Sequence, residues 1–163
     1  MILAKAEEIL TIGEKAPDFT LPASNGEEVS LKDFKGKFIV LYFYPKDNTP
    51  GCTTEACDFR DRHDEFSNLD VVILGVSPDP LKSHAKFIEK YQLPFLLLSD
   101  EDHQVAEKYG AWVLKKNYGR EYMGIDRSTF IIDKEGNLLK AFRKVKVKGH
   151  VEAALEFIKS LQS

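Results

Sequence analysis

The run Phe38 to Tyr44, FIVLYFY, constrains the fold more than any other part of this chain. Aliphatic, β-branched and aromatic side chains follow one another without a polar break until Pro45 ends the run, so the resulting strand is apolar on both faces. A strand of that kind belongs in the middle of a sheet, with a layer packed against each side.

The surrounding sequence supplies those layers. Val71 to Val76 reads as a second buried strand, and Ser77-Pro78-Asp79-Pro80 opens a helix that runs through about Tyr91. Residues Cys52 to Phe66 place Cys52, Ala56, Phe59 and Phe66 at helical spacing. A short run, Phe95 to Leu98, follows Pro94, and Asp100 to Tyr109 begins acidic and stops at Gly110, as a short helix does. Ser128 to Ile132 is a strand that Asp133 to Asn137 turns back into Leu138 to Phe142. Val151 to Leu161 is an amphipathic helix, and near the start Asn25-Gly26 marks a hairpin between two short β-like runs. Strands alternating with helices, plus a closing hairpin, predict an α/β fold with a central mixed sheet flanked by helices. A length of 163 residues suits one domain over 1–163.

Charge narrows the partners. The 23 basic and 26 acidic residues leave a formal charge of -3, which gives no overall pull toward nucleic acid or an anionic membrane. The basic run Lys140, Arg143, Lys144, Lys146 and Lys148 reads as a solvated hairpin edge, where lysines discourage pairing with other strands. The opening MILAKAEEIL is broken by Lys5, Glu7 and Glu8 and lacks the apolar run of a secretory signal, so the expected setting is cytoplasmic. There ordinary thiols stay reduced, and any bond between cysteines is transient and chemical.

Both cysteines lie in one stretch, YPKDNTPGCTTEAC, just beyond the central strand, where open α/β sheets carry their chemistry. With a helix beginning near Gly51 or Cys52, Cys52 sits among amide N–H groups that have no intrahelical partner, at the positive end of the helix dipole. That setting favours a reactive thiolate; the alternative is a small buried hydrophobe. Cys57 lies five residues on. In a helix that spacing means about 7.5 Å of rise and about 140° of rotation, so the Cα atoms stand roughly 8.7 Å apart. A disulfide needs about 7 Å or less, with converging Cβ vectors. Either the two never pair, or the first turns of the helix unwind after Cys52 has reacted. Thr53 and Thr54, mediocre helix formers, are compatible with unwinding. Structural zinc is disfavoured, because there is no second cysteine pair and His63, His84, His103 and His150 are dispersed. The spacing is also not the Cys-x-x-Cys of a thioredoxin-like dithiol. Thr49 either faces the thiolate or simply caps the helix, and Pro45 and Pro50 stiffen the loop.

The segment YFYPKDNTPGCTTEAC closely resembles the active site of peroxiredoxins, in which Pro, Thr or Ser, and Cys recur with three and then two residues between them. Pro45, Thr49 and Cys52 match in order. The TPGCT core with a second cysteine five residues on is similar to the bacterioferritin comigratory protein, or peroxiredoxin Q, subgroup of atypical two-cysteine enzymes. APDFTLP, ILGVSPD and GIDRSTFIID extend the likeness along most of the chain, with Arg127 at the family's active-site arginine. The resemblance implies a thioredoxin-like fold with an N-terminal hairpin addition, and a peroxidase acting on hydrogen peroxide and organic hydroperoxides. It makes Cys52 the peroxidatic cysteine, which becomes a sulfenic acid, and Cys57 the resolving cysteine. Thr49 and Arg127 bind the peroxide and Pro45 limits solvent access. An intramolecular disulfide is recycled by thioredoxin or a similar dithiol, with no organic cofactor and no metal. Glu55, one turn after Cys52, either holds Arg127 by an ion pair or is an exposed helix-face carboxylate. The subgroup suggests a monomer, with a dimer as the alternative if Trp112 and Tyr118 are exposed. Two rival readings are a general thiol–disulfide oxidoreductase and a peroxide-sensing binding protein.

Overall fold

A computed structural model describes residues 10–162; the N-terminal stretch read for a secretory signal lies largely outside them. The element order is β1 (Thr20–Pro22), β2 (Glu28–Ser30), a 3-10 turn (Leu31–Phe34), β3 (Phe38–Phe43), α1 (Pro50–Asp61), α2 (His63–Asn68), β4 (Val71–Ser77), α3 (Leu81–Tyr91), β5 (Leu96–Ser99), α4 (Gln104–Lys108), β6 (Trp112–Asn117), β7 (Arg120–Ile125), β8 (Ser128–Ile132), β9 (Leu138–Phe142) and α5 (His150–Gln162).

Five strands form the central sheet in the order β5-β4-β3-β8-β9. β3 lies at its centre, parallel to β4 and antiparallel to β8, as its two-faced apolar run requires. Side chains alternate along it. Ile39, Leu41 and Phe43 point into one core with Tyr109, Val105 and Phe130, beneath α4 and the β1–β2 hairpin. Val40, Tyr42 and Tyr44 point into the other, where Phe59 of α1, Phe66 of α2, Phe87 of α3 and Leu155 of α5 close over them. This is the thioredoxin-like arrangement with its N-terminal hairpin.

The helix expected from Cys52 to Phe66 is two helices. It begins earlier, because Pro50 takes the first helical position, where a missing N–H costs nothing. It breaks at Arg62, whose backbone (φ -107, ψ 8) leaves the helical range. The expected helix from Asp100 is shorter, because Asp100 stays outside it and its carboxylate accepts from the N–H groups of Val105 (3.2 Å) and Ala106 (2.9 Å). The β6–β7 hairpin was not legible: its burial pattern is mixed, and its turn is built by Tyr118 and Gly119, both at positive φ (53 and 79). Tyr118 stands 98% exposed at the tip, but Trp112 is half-buried and stacks on His103 at 3.8 Å between ring centres. Arg143, read as part of a solvated edge, reaches inward to Gly110 O at 3.2 Å.

His150 is one of the histidines that looked dispersed. It is buried at the start of α5, edge-on to Phe59 and Phe142, with Nε2 2.7 Å from Thr129 Oγ1. Burial, with the Arg127 charge adding to it, lowers its pKa to about 4. The unfolded chain binds this proton below about 6.5, whereas the folded chain resists it until about 4. Stability from this group is therefore present above about pH 6.5 and is lost as pH falls toward 4, roughly 3 kcal/mol in all. Urea unfolding across that window should show the slope in the wild type and a flatter one in His150→Gln, which cannot titrate.

Candidate active site

The segment from Tyr44 to Thr49 carries the chain from the end of β3 to the start of α1, and Cys52 in the first turn of α1 packs in one cluster with Tyr42 and Tyr44. Thr49 occupies the position before the helix in an extended conformation (φ -96, ψ 159), but its side chain does not cap the helix. Its hydroxyl donates instead to Lys46 O at 2.8 Å, closing the loop from Pro45 to Thr49. With the proton committed there, the Thr49 oxygen keeps lone pairs free to accept a hydrogen bond. Pro45 is half-buried at the loop's start, and Asn48 takes a left-handed backbone (φ 64) that asparagine tolerates.

Cys52 lies in the first turn of α1 and is 2% exposed. Arg127 reaches it from across the sheet: Phe43 pairs with Ser128 at the start of β8, which places residue 127 beside the end of β3. Arg127 Nη2 donates to Cys52 Sγ at 3.4 Å, and Nη1 donates to Glu55 Oε1 at 2.6 Å. One guanidinium thus joins the sulfur to a carboxylate one helical turn further on. Gly51 leaves room for it, since a Cβ there would stand 3.2 Å from Arg127 Nη2. The helix end and the guanidinium both place positive potential at the sulfur.

Glu55 is fully buried, which removes the exposed-carboxylate alternative. Burial raises its pKa to about 7, against the pull of Arg127, and its Oε2 has no hydrogen-bond partner. For Arg127 the balance runs the other way. Burial opposes its charge, but Glu55 and Cys52 together outweigh burial and hold the guanidinium protonated.

Cys57 lies further along the same unbroken helix and is half-buried; both cysteines are free thiols. Burial raises the Cys57 pKa, and Asp61 and Asp58 add to this against Arg60. Burial thus keeps Cys57 protonated, and in an unbroken helix five residues put the two Cα atoms roughly 8.7 Å apart, beyond disulfide range. The helix start is held by Thr53 N to Thr49 O (2.8 Å) and Thr54 Oγ1 to Pro50 O (3.0 Å).

Asp47, Asp79 and His84 each bring one ligand-type atom to within 4.8 Å of the others, a grouping made by three separate segments and invisible in the sequence. Those atoms are already engaged in hydrogen bonds: His84 Nδ1 with Asp47 Oδ2 (2.7 Å), and Asp47 N with Asp79 Oδ2 (2.7 Å). Among the described residues, no helix is long and apolar enough to cross a membrane.

A model of the AhpC/TSA family matches residues 12–141. The chain is 63% identical over 152 residues to Peroxiredoxin Bcp of Bacillus subtilis, covering 93% of this chain and 97% of that protein. It is 45% identical over 150 residues to Peroxiredoxin Bcp of Escherichia coli, covering 92% and 96%. Among solved structures it resembles Xanthomonas campestris Peroxiredoxin Q, with a TM-score of 0.86 and 41% identity over 93% of this chain and 96% of that one. It also resembles the Xanthomonas campestris bacterioferritin comigratory protein, described for alkyl peroxide reduction activity, with a TM-score of 0.87 and 40% identity over 95% and 99%.

Proposed function

Because this chain belongs to the AhpC/TSA family and is a peroxidase of the peroxiredoxin type, we propose that Cys52 attacks the peroxide and Cys57 resolves the product. The observation that carries this reading is the Arg127 bridge between Cys52 Sγ and Glu55 at the start of α1. The Cys52 thiolate forms an S–O bond as the O–O bond breaks. Sulfur loses two electrons to the peroxide, and the departing oxygen takes a proton and leaves as water or an alcohol. Arg127 donates to the oxygen on which charge develops, the Thr49 oxygen accepts from the peroxide O–H, and Pro45 limits water at the sulfur.

Cys52 is then a sulfenic acid. Unwinding of the first turns of α1 lets the Cys57 sulfur attack the Cys52 sulfur, expelling the oxygen as water and closing an intramolecular disulfide. An external dithiol of the thioredoxin kind reduces that bond and restores both thiols. A cytoplasmic setting and a role in antioxidant defence fit a cycle whose resting form carries two free thiols.

Intact-mass analysis after one equivalent of peroxide tests this cycle. The wild type should lose two hydrogens, and Cys57→Ser should retain one added oxygen. Coupled to thioredoxin, the wild type should consume many equivalents of peroxide, and Cys57→Ser should stall after about one. A wild type that accumulates sulfenic acid without an internal disulfide would remove Cys57 from the cycle. A wild type that reacts once and is not recycled would favour a peroxide sensor.

A further inference from the structure

The loop that carries Pro45 and Thr49 is tied down by a buried side-chain network remote from Arg127 in sequence. Asp47, 6% exposed, is its hub. Its Oδ1 accepts from Tyr44 OH at 2.5 Å, and its Oδ2 from Ser83 Oγ at 2.8 Å and toward His84 Nδ1 at 2.7 Å. The Asp47 backbone N–H donates to Asp79 Oδ2 at 2.7 Å, and the same oxygen accepts from Ser77 Oγ at 2.7 Å. His84 is fully buried in α3, and its Nε2 lies 2.9 Å from Leu98 O on β5.

A carbonyl oxygen only accepts, so Nε2 carries a proton. One further proton must then sit between Nδ1 and Asp47 Oδ2, on either atom, for the 2.7 Å contact to be a hydrogen bond. The imidazole is thereby a rigid spacer between β5 and the loop. Every anchor of Asp47 outside the loop comes from the end of β3, the end of β4 or α3, and none comes from α1.

We propose that His84, acting through Asp47, is a positioning residue that holds the Pro45–Thr49 loop in its peroxide-binding shape and keeps the loop in place while α1 unwinds. Two consequences separate this role from general stabilisation. Losing the clamp slows the peroxide step, in which Thr49 and Pro45 must already be placed. It leaves disulfide formation largely unchanged, because that step depends on the unwinding of α1, and no residue of α1 bonds to Asp47. The clamp also works through shape and hydrogen bonding rather than charge. In Asp47→Asn the amide N–H₂ can donate to Nδ1 and the amide oxygen can still accept from Tyr44 OH, so most of the function is retained.

Stopped-flow measurements under hydrogen peroxide, with Cys52 oxidation and disulfide closure recorded as separate phases, test the clamp. In His84→Leu the rate constant for Cys52 oxidation should fall about 10- to 100-fold, the scale of a misplaced catalytic group. The rate constant for closure should stay within about twofold. Tyr44→Phe, which removes one donor to Asp47 at a milder structural cost, should slow oxidation in the same direction by a smaller factor, and Asp47→Asn should remain within about threefold of wild type. Should His84→Leu not fold, Tyr44→Phe decides the matter alone. Unchanged oxidation in a folded variant overturns the clamp, as does an equal fall in both phases. The inference rests on Cys52 being the peroxide-reactive sulfur. A wild type in which Cys52 does not oxidise sinks that premise, whereas equal oxidation rates in wild type and variants sink only the clamp.

Discussion

Cys52→Ser should consume peroxide roughly 10⁴- to 10⁶-fold more slowly than the wild type, the scale on which loss of an essential nucleophile acts. Serine fits the space, because Cys52 is enclosed by the first turn of α1 and the apolar core beneath it, and the change is a single atom. What is lost is the anion. A serine hydroxyl is a far weaker acid and a weaker nucleophile than a thiol, and a neighbouring guanidinium and helix end do not make up that difference. The variant should therefore remain folded, with an unfolding midpoint close to wild type, while one equivalent of peroxide leaves its mass unchanged. Cys57 provides the internal control: burial raises its pKa and keeps it a poor nucleophile in the intact helix. Fast oxidation of Cys52→Ser at Cys57 would reverse the two assignments.

Arg127→Met should lower kcat/KM for hydrogen peroxide by about 10²- to 10³-fold, or roughly 3 to 4 kcal/mol of transition-state stabilisation, the usual consequence of removing a donor aimed at developing negative charge. It also removes the partner of Glu55, a fully buried carboxylate whose other oxygen is already unpaired. In the wild type, burial raises Glu55 to about 7 even with Arg127 in place, so folding favours the protonated acid. An acid raised in the folded state contributes stability that is fully present below its unfolded pKa of about 4.5 and is lost as pH rises through about 7. Without Arg127 the folded pKa rises further and the loss continues above pH 7. Chemical denaturation of Arg127→Met should therefore show stability falling more steeply from pH 7 to 9 than in the wild type. The double variant Arg127→Met/Glu55→Gln should not show that extra fall. If activity drops while the pH dependence is unchanged, Glu55 is not the group that Arg127 holds.

Some of this site was legible without coordinates. Pro45, Thr49, Cys52 and Cys57 lie within one short segment, and helix geometry applied to the cysteine spacing already set the two Cα atoms beyond disulfide range in an intact helix. Arg127 was reached only through family likeness, because nothing local distinguishes a charged residue just ahead of a strand. Glu55 was ambiguous for the same reason. An i, i+3 carboxylate on a helix is usually solvated, and only the approach of Arg127 from β8 reveals that this face is buried. Asp47 and His84 carried no signal, since they are 37 positions apart and their contact depends on how α3 returns against the end of β3.

The sequence by itself determined the layered α/β plan, because FIVLYFY has no stable place except between two covered faces. It also placed the first cysteine in the opening turn of a helix, although that helix starts at Pro50 rather than near Gly51 or Cys52. Only the tertiary structure decided which charges face the sulfur, which carboxylate is stripped of water and which histidine locks the loop. Those properties depend on distance and solvent exclusion between segments far apart along the chain, and periodicity and local conformational preference carry no record of either.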